Sequence, residues 1–240
     1  MSGHSHAKKV KHQKDANAAQ RSKIFSKMGN ELYIAAKAGG GDPTTNPSLR
    51  VAIDKAKAFN MPTANIDRAV KRGTGEEAGA ALEEVLFEGY GPGGIAVLVE
   101  GITDNKNRTI GEVKQAFDRN QGKLAQEGAV RWMFERRGTI TINPKEKAKD
   151  EMELLVIEAG AEDLYWREDS LLEVYTKPAQ VEQVKKKLEQ EGVAVESSSL
   201  EWIPKERVAI LEQDKEAAEQ LFEALDESEA VQEIYANYRY

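Results

Sequence analysis

Near residue 80 the hydrophobic pattern of the chain changes from a purely helical period to one that includes strands, and this change limits the fold more than any single motif. In residues 18–73, apolar side chains recur at three- and four-residue steps, which is typical of helices that bury one face. After a short stretch of small and polar residues, apolar runs such as Ile95–Glu100 indicate strands. The sequence therefore predicts a helical N-terminal region followed by mixed α+β structure.

Turn and capping residues divide the N-terminal region into three helices. The glycines at 39–41 are expected to end the first helix, because glycine is the usual residue just beyond a last helical turn. Asn46 and Pro47 provide an N-cap and a proline at the first position of the second helix. The third helix is predicted to end at Gly73.

The rest of the chain is predicted to form two sheet domains. Residues 137–205 show the order βαββαβ, which is the ferredoxin-like arrangement. The last 35 residues show β-α-β, too little to fold alone, and are expected to complete the sheet begun near residue 83. The fold class is therefore α+β, with an N-terminal three-helix domain followed by two α+β domains of ferredoxin-like type, the first of them discontinuous. The predicted parts are a flexible basic arm (1–16), a helical basic domain (17–75), a discontinuous α+β domain (82–136 plus 206–240) and a βαββαβ domain (137–205).

Charge is divided unequally along the chain. Residues 1–75 hold 14 Lys or Arg and 5 acidic residues, a net charge of +9, whereas the remainder holds 20 basic and 36 acidic residues, a net charge of −16. A basic segment on an acidic protein favours contact with an anionic partner at one end only. The N-terminal third is therefore predicted to bind nucleic acid.

The candidate binding residues are cations of the arm and of the three helices. On the third helix, Arg68, Lys71 and Arg72 fall opposite the apolar Ile66 and Ala69 at 100° per residue. Such cations are expected to contact phosphates, which sets affinity and position without reading sequence. The predicted nucleic-acid contacts are Lys8, Lys9, Lys11, His12, Lys14, Arg21, Lys23, Lys27, Arg50, Lys57, Arg68, Lys71 and Arg72.

The sequence offers little for catalysis or for a cofactor. Residues 89–94 match G-x-G-x-x-G, but a strand follows where the dinucleotide fingerprint needs a helix, so a tight turn between strands is predicted. All three histidines lie within the first 12 residues and cysteine is absent, which argues against a catalytic triad and a metal centre. No catalytic residue, cofactor or metal is predicted, and the chain is expected not to be an enzyme.

Location and further partners are predicted from composition. No apolar run approaches the ~18 residues of a membrane span, and the N-terminus lacks an apolar signal region, so a cytoplasmic protein without membrane contact is expected, as a monomer. The α+β part lacks the RNP pattern of RNA-binding sheets, and its strands carry few aromatic residues that look exposed. This acidic part is predicted to be a scaffold or a surface for a protein partner.

Short motifs in order along the chain carry a family resemblance. They include Gly40-Gly41-Asp42-Pro43, Asn46-Pro47-x-Leu49-Arg50, Asn60-Met61-Pro62, Lys71-Arg72-Gly73, Glu88-Gly89-Tyr90-Gly91-Pro92, Asp104-Asn105, Asn107-Arg108-Thr109 and Met133-Phe134. On these motifs the chain resembles the YebC/PmpR family, densely over residues 1–135 and more loosely beyond. Members often begin Gly-His-Ser-Lys-Trp, whereas this chain has His6 and Ala7 at the last two of these positions and so lacks that aromatic side chain.

The resemblance implies a non-enzymatic role in gene expression. Bacterial members are usually described as probable transcriptional regulators that bind DNA, and this is the expected function. The alternative that the resemblance leaves open is a translation factor associated with the ribosome and ribosomal RNA, which assists proline-rich, stall-prone sequences. A protein-interaction adaptor, in which the acidic domains dock a partner, is the second alternative.

Overall fold

The structure is a computed structural model that describes residues 18–145, 147–167 and 169–239. Its helices are α1 (Ala18–Gly39), α2 (Pro47–Ala58), α3 (Thr63–Thr74), α4 (Lys106–Arg119), α5 (Lys149–Ala159), α6 (Val181–Gln190) and α7 (Glu212–Asp226). Its strands are β1 (Glu83–Tyr90), β2 (Ala96–Thr103), β3 (Lys123–Leu124), β4 (Phe134–Asn143), β5 (Asp163–Trp166), β6 (Leu172–Thr176), β7 (Ala194–Pro204), β8 (Val208–Ala209), β9 (Val231–Ala236) and β10 (Tyr238–Arg239). None of the helices in these ranges combines the length and the apolar character that crossing a membrane requires.

The first three helices pack around a small apolar core, as their hydrophobic spacing predicts. The core is formed by one stripe from each helix, with Leu32 of α1, Leu49 of α2 and Ile66 of α3 almost fully buried. Helices α1 and α3 cross closely at Gly73, where an added Cβ would lie 2.5 Å from the carbonyl oxygen of Tyr33. Glycine is needed at this position because any side chain would collide with the backbone of α1.

Asn46 fixes the corner between α1 and α2. Its side-chain oxygen accepts the Leu49 amide as the N-cap of α2 (3.1 Å), and its side-chain amide donates to the carbonyls of Ala35 and Gly40, both at 2.8 Å. The side chain is buried, and it satisfies groups at the end of one helix and the start of the next. This single residue therefore sets the direction in which α2 leaves α1.

The first sheet has the strand order β3-β1-β2-β9. Strands β1 and β2 form an antiparallel hairpin, with Glu83 opposite Thr103 and Tyr90 opposite Ala96. Helix α7 contacts α4 and buries one apolar stripe, which consists of Ala218, Leu221, Phe222 and Leu225. The tail supplies one strand to this sheet rather than the two predicted, because β8 pairs with β10 in a separate two-stranded sheet.

The second sheet has the order β5-β6-β4-β7 with antiparallel neighbours, which is the ferredoxin-like order that the βαββαβ pattern predicts. Its apolar face carries Ile140, Ile142 and Val174 and packs on α5 and α6 through Met152 and Leu188. The fold class predicted from sequence, three helices followed by two α+β domains, is confirmed.

Two elements differ from the sequence prediction. Strand β4 runs without interruption from Phe134 to Asn143, through the predicted domain boundary at residues 136–137, because Phe134 already pairs with Pro204 of β7. The third strand of the first sheet is instead the short β3, opposite Gly89 and Tyr90. By their contacts, residues 18–130 with 210–234 form one compact unit and residues 131–209 with 235–239 form another. The predicted domain boundaries stay a prediction.

Candidate nucleic-acid interface

The predicted contacts divide between the arm and the helices. The arm residues Lys8, Lys9, Lys11, His12 and Lys14 lie outside the described part of the chain. The eight helical residues lie on α1, α2 and α3. Their exposure and their ion pairs separate those that can reach a ligand from those that are engaged within the protein.

Helix α3 presents its cations on the face opposite its buried side. Arg68 and Lys71 are exposed, whereas Ile66 and Ala69 of the same helix are buried. Arg68 has a long ion pair of 4.0 Å with Glu77, and such an exposed pair contributes little. Arg72 is half-buried, and its guanidinium lies 5.8 Å from the ring centroid of Tyr33. Arg68 and Lys71 can therefore reach an anionic ligand with little rearrangement.

Helix α2 carries both exposed and internally paired cations. Arg50 and Lys57 are exposed, and they lie about two turns apart on one side of the helix because seven residues separate them. Lys55 behaves differently, because its ammonium donates to both carboxylate oxygens of Glu31 at 2.7 Å. Within the described residues, Arg50 and Lys57 form no ion pair.

Two predicted contacts on α1 are engaged inside the protein. The ammonium of Lys27 donates to the Asp226 carboxylate at 2.9 Å and to its backbone carbonyl at 3.1 Å. Lys23 lies 3.3 Å from Glu227 and 3.8 Å from Asp226. These ion pairs hold α1 to the end of α7. The sequence pattern shows only the spacing of cations, so it could not distinguish the paired Lys23 and Lys27 from Arg21, which is exposed.

A second set of contacts ties α1 to the first sheet. Lys37 donates to the carbonyl of Leu82 at 3.0 Å and lies 5.8 Å from the ring centroid of Tyr33. Tyr33 packs with Leu82 and Ile102 in a small apolar cluster. These contacts link the basic helices to the sheet within one compact unit.

Several family motif residues have structural partners. The buried carboxylate of Glu88 accepts the backbone amides of Gly128 (2.6 Å) and Val130 (2.7 Å) and thereby fixes the loop that follows β3. Asn105 is the N-cap of α4 and accepts the Arg108 amide at 3.1 Å. Within the glycine-rich stretch, Pro92–Gly94 form a tight 3-10 turn between β1 and β2, as predicted, and a strand rather than a helix follows.

The second sheet contains a buried polar network. The Tyr175 hydroxyl donates to Glu173 at 2.7 Å, and the guanidinium of Arg167 lies 3.4 Å from the same carboxylate. Burial, followed by the charge of Glu173, raises the pKa of the Tyr175 hydroxyl far above its usual range. Arg207 donates to the Tyr175 hydroxyl at 3.3 Å. The network therefore keeps the Tyr175 hydroxyl protonated, so that it donates a hydrogen bond to Glu173.

One exposed aromatic residue is not predicted by the sequence. Trp132, in a 3-10 turn at Arg131–Met133, is 64% exposed. The guanidinium of Arg131, the residue before Trp132, lies 5.0 Å from the ring centroid of Trp202, and that of Arg136 lies 5.4 Å from the same centroid. The apolar neighbours in sequence, Met133 and Phe134, hid this exposure, because such a run is typical of the start of a buried strand.

No metal-binding arrangement is present in the described ranges, which contain no cluster of three or more acidic, histidine or cysteine side chains suited to a metal ion. The sequence prediction of no metal site rests on the placement of all histidines in the arm.

Comparison with known proteins places the whole chain beside one family. A model described as "TACO1/YebC protein N-terminal domain" matches residues 5–76, and one described as "TACO1/YebC second and third domain" matches residues 82–238. "Probable transcriptional regulatory protein YrbC" of Bacillus subtilis is 46% identical over 241 residues, covering 100% of both chains. A "Probable transcriptional regulatory protein" of Thermotoga maritima is 45% identical, covering 99% of this chain and 94% of its own. A crystal structure of a conserved hypothetical protein from Aquifex aeolicus superposes with a TM-score of 0.85 at 42% identity, covering 96% of this chain and 95% of that one.

Proposed function

The chain belongs to the TACO1/YebC family, and we propose that it is a non-enzymatic, nucleic-acid-binding regulator of gene expression. In this proposal the exposed cations of α2 and α3 contact phosphates, together with the basic arm. The two sheet domains act as a scaffold and as a surface for a protein partner. The protein acts in the cytoplasm as a monomer.

The observation that carries the proposal is the separation of the helical cations into two groups. Lys23, Lys27 and Lys55 neutralise acidic groups of the same unit. Arg50 and Lys57 have no such acidic partner among the described residues, and Arg68 has only a long, exposed one. Cations with no structural partner on a helical face are typical of a phosphate-binding footprint.

The relatives support the regulatory part of the proposal. The proteins of Bacillus subtilis and Thermotoga maritima that match along nearly the full chain both carry the name "Probable transcriptional regulatory protein". We propose duplex DNA as the target, because that is the nucleic acid on which a regulator of transcription acts. An RNA target, as for a ribosome-associated translation factor, is the alternative, and the exposed indole of Trp132 favours it, because unpaired bases stack on aromatic side chains.

The experiment measures affinity as a function of salt for two double variants of the full-length chain. Arg68→Gln with Lys71→Gln alters the α3 face, and Arg50→Gln with Lys57→Gln alters the α2 face. Arg72 is left in place because it packs on the Tyr33 ring. Each double variant should bind duplex DNA and structured RNA alike more weakly and lower the slope of log K against log salt by roughly 0.7–0.9 for each phosphate that is no longer neutralised.

A matched control has the same change of charge elsewhere. Lys186→Gln with Lys187→Gln removes two exposed cations from α6 and should leave both the affinity and the salt slope unchanged. An unchanged slope in the α2 and α3 variants, or an equal loss of affinity in the control, would contradict the proposed contacts and favour the adaptor alternative. Comparison of the duplex and RNA probes for the unmodified chain identifies the target class.

A further inference from the structure

Helix α5 exposes two large aliphatic side chains on its outward side. Leu154 is 59% exposed and Ile157 is 58% exposed, although Met152 and Val156 of the same helix are almost fully buried in the core of the second sheet. Residues three apart on a helix are neighbours on its surface. The two side chains therefore form one exposed apolar patch, and such patches mark interaction sites.

Leu154 also lines a groove of about 450 Å³ between α5 and α6. The apolar part of the groove is formed by Leu154, Leu155 and Ala159. Ala159 belongs to the core beneath, and Leu155 packs against that core. The groove is therefore backed by packed side chains, and its volume is sufficient for a few apolar groups of a ligand.

The border of the groove is mainly acidic. Among the described residues that line it are three carboxylates, those of Glu151, Glu158 and Glu191, and one ammonium, that of Lys187, a net charge of −2. Glu151 is paired with Lys147 at 2.9 Å. Glu158 and Glu191 are exposed and form no ion pair within the described residues, so both are free to meet cations of a partner.

The charge of the groove disfavours the other classes of occupant. A phosphate backbone would be repelled by Glu158 and Glu191. A second copy placed by two-fold symmetry would bring the same acidic surface against itself, and like charges facing each other are costly. The basic arm of the chain has the opposite charge, but Val10 is the only large aliphatic residue within residues 2–16, so the arm lacks a second apolar anchor.

We propose that the groove between α5 and α6 binds a basic amphipathic helix of a protein partner. Apolar side chains of that helix contact Leu154 and Ile157, and its lysine or arginine side chains pair with Glu158 and Glu191. Recognition of a helix in a groove uses anchors at i, i+3 or i+4 and i+7, and complementary charges at the border set its orientation. This site rests on the part of the proposed function that gives the sheet domains a surface for a protein partner.

Two synthetic helical peptides serve as probes in calorimetric titrations of the full-length chain. The basic peptide has leucine at i, i+4 and i+7 with lysine and alanine elsewhere, and in the acidic peptide glutamate replaces every lysine. The basic peptide should bind, with changes in the amide NMR shifts of α5 and α6, and the acidic peptide should not bind.

Substitutions in the groove test the apolar and the charged contacts separately. Leu154→Gln keeps a helix-forming side chain of similar length but removes its apolar surface, so it should weaken binding of the basic peptide roughly 10-fold. Glu158→Gln with Glu191→Gln should weaken binding roughly 3-fold at low salt and less at high salt.

Matched controls carry the same changes outside the groove. Glu182→Gln with Glu189→Gln removes two exposed carboxylates of α6 that are not among the residues lining the groove. Leu200→Gln replaces a leucine of β7 that is 44% exposed. Both controls should bind the basic peptide with the affinity of the unmodified chain.

Several outcomes would overturn the groove as a site for a basic helix. Unchanged affinity in Leu154→Gln or equal binding of the acidic peptide would each do so. Tighter binding of a peptide of residues 2–16 would identify the arm as the occupant, and a dimer in sedimentation that Leu154→Gln abolishes would identify a second copy.

Nucleic-acid titrations separate failure of this site from failure of the proposed function. The groove variants should leave nucleic-acid affinity and its salt slope unchanged, and a loss there would also overturn the site. If the groove fails alone, the α2 and α3 variants still lower the salt slope. If the proposed function fails, those variants have no effect and the unmodified chain binds neither DNA nor RNA.

Discussion

Replacement of Asn46 by alanine should destabilise the N-terminal unit far more than removal of an ordinary helix cap. The substitution removes one capping bond to Leu49 and two bonds to the carbonyls of Ala35 and Gly40. Loss of an N-cap costs about 1 kcal/mol, and each buried hydrogen bond contributes about 1 kcal/mol net. The free energy of unfolding should therefore fall by about 3 kcal/mol.

The chain contains a matched control for this prediction. Asn105 caps α4 with the same acceptor geometry, 3.1 Å to the Arg108 amide, but it is exposed, and within the described ranges its side chain bonds to no second helix end. Asn105→Ala should cost about 1 kcal/mol. Asn46→Ser, which keeps a capping oxygen but loses the amide donors, should fall between the two at about 2 kcal/mol.

Denaturant unfolding followed by circular dichroism measures these differences. Both asparagines lie in the compact unit of residues 18–130 and 210–234, so their effects are compared on the same transition and with the same denaturant dependence. Equal losses of stability for Asn46→Ala and Asn105→Ala, within about 0.5 kcal/mol, would refute this reasoning. They would show that Asn46 contributes as a helix cap only and that its bonds to Ala35 and Gly40 add nothing.

Three further predictions concern packing, the buried network and the ion pairs. Gly73→Ala should destabilise the protein by about 1–3 kcal/mol, because its Cβ would lie 2.5 Å from a backbone oxygen of α1. Gly111→Ala in α4 has open space around it, so it should be neutral or stabilising by up to about 1 kcal/mol, and thermal melts of the two variants compare these effects. Tyr175→Phe should cost about 1–3 kcal/mol at neutral pH, because Glu173 loses a buried donor. Since burial raises the pKa of this hydroxyl in the folded state, its contribution should be complete below the ordinary tyrosine pKa and decline above about pH 10, which unfolding at several pH values would reveal. Asp226→Asn should cost at most about 1 kcal/mol. It should also raise nucleic-acid affinity, as measured by titration, because it removes the negative charge that faces Lys23 and Lys27 of α1. Lower affinity would show that the ion pairs instead position the interface.

The distribution of partners also changes how the charge of the chain is understood. The acidic end of α7 is part of the unit that carries the basic helices, and Asp226 and Glu227 neutralise part of α1. The positive surface is therefore smaller than the net charge of residues 1–75 implies. Among the predicted contacts on the described helices, the exposed cations are Arg50 and Lys57 of α2, Arg68 and Lys71 of α3, and Arg21 of α1.

The sequence by itself determined the fold class and most of the helices and strands. Local rules suffice for these, because hydrophobic period separates helix from strand, and Asn46-Pro47 and Gly39–Gly41 mark helix ends through contacts within a few residues. The same periodicity placed Arg68 and Lys71 on the exposed face of α3, since the direction of a side chain around a helix depends only on its position in that helix.

Only the tertiary structure decided which cations are available and that Trp132 is exposed. Lys27 and Asp226 are 199 residues apart, and no local pattern shows that one will neutralise the other. Exposure of Trp132 likewise depends on the anchoring of its turn by Lys205 from the far end of the second sheet. Pairing and burial are properties of contacts between distant segments, so they are fixed by how the elements pack and not by the spacing of residues along the chain.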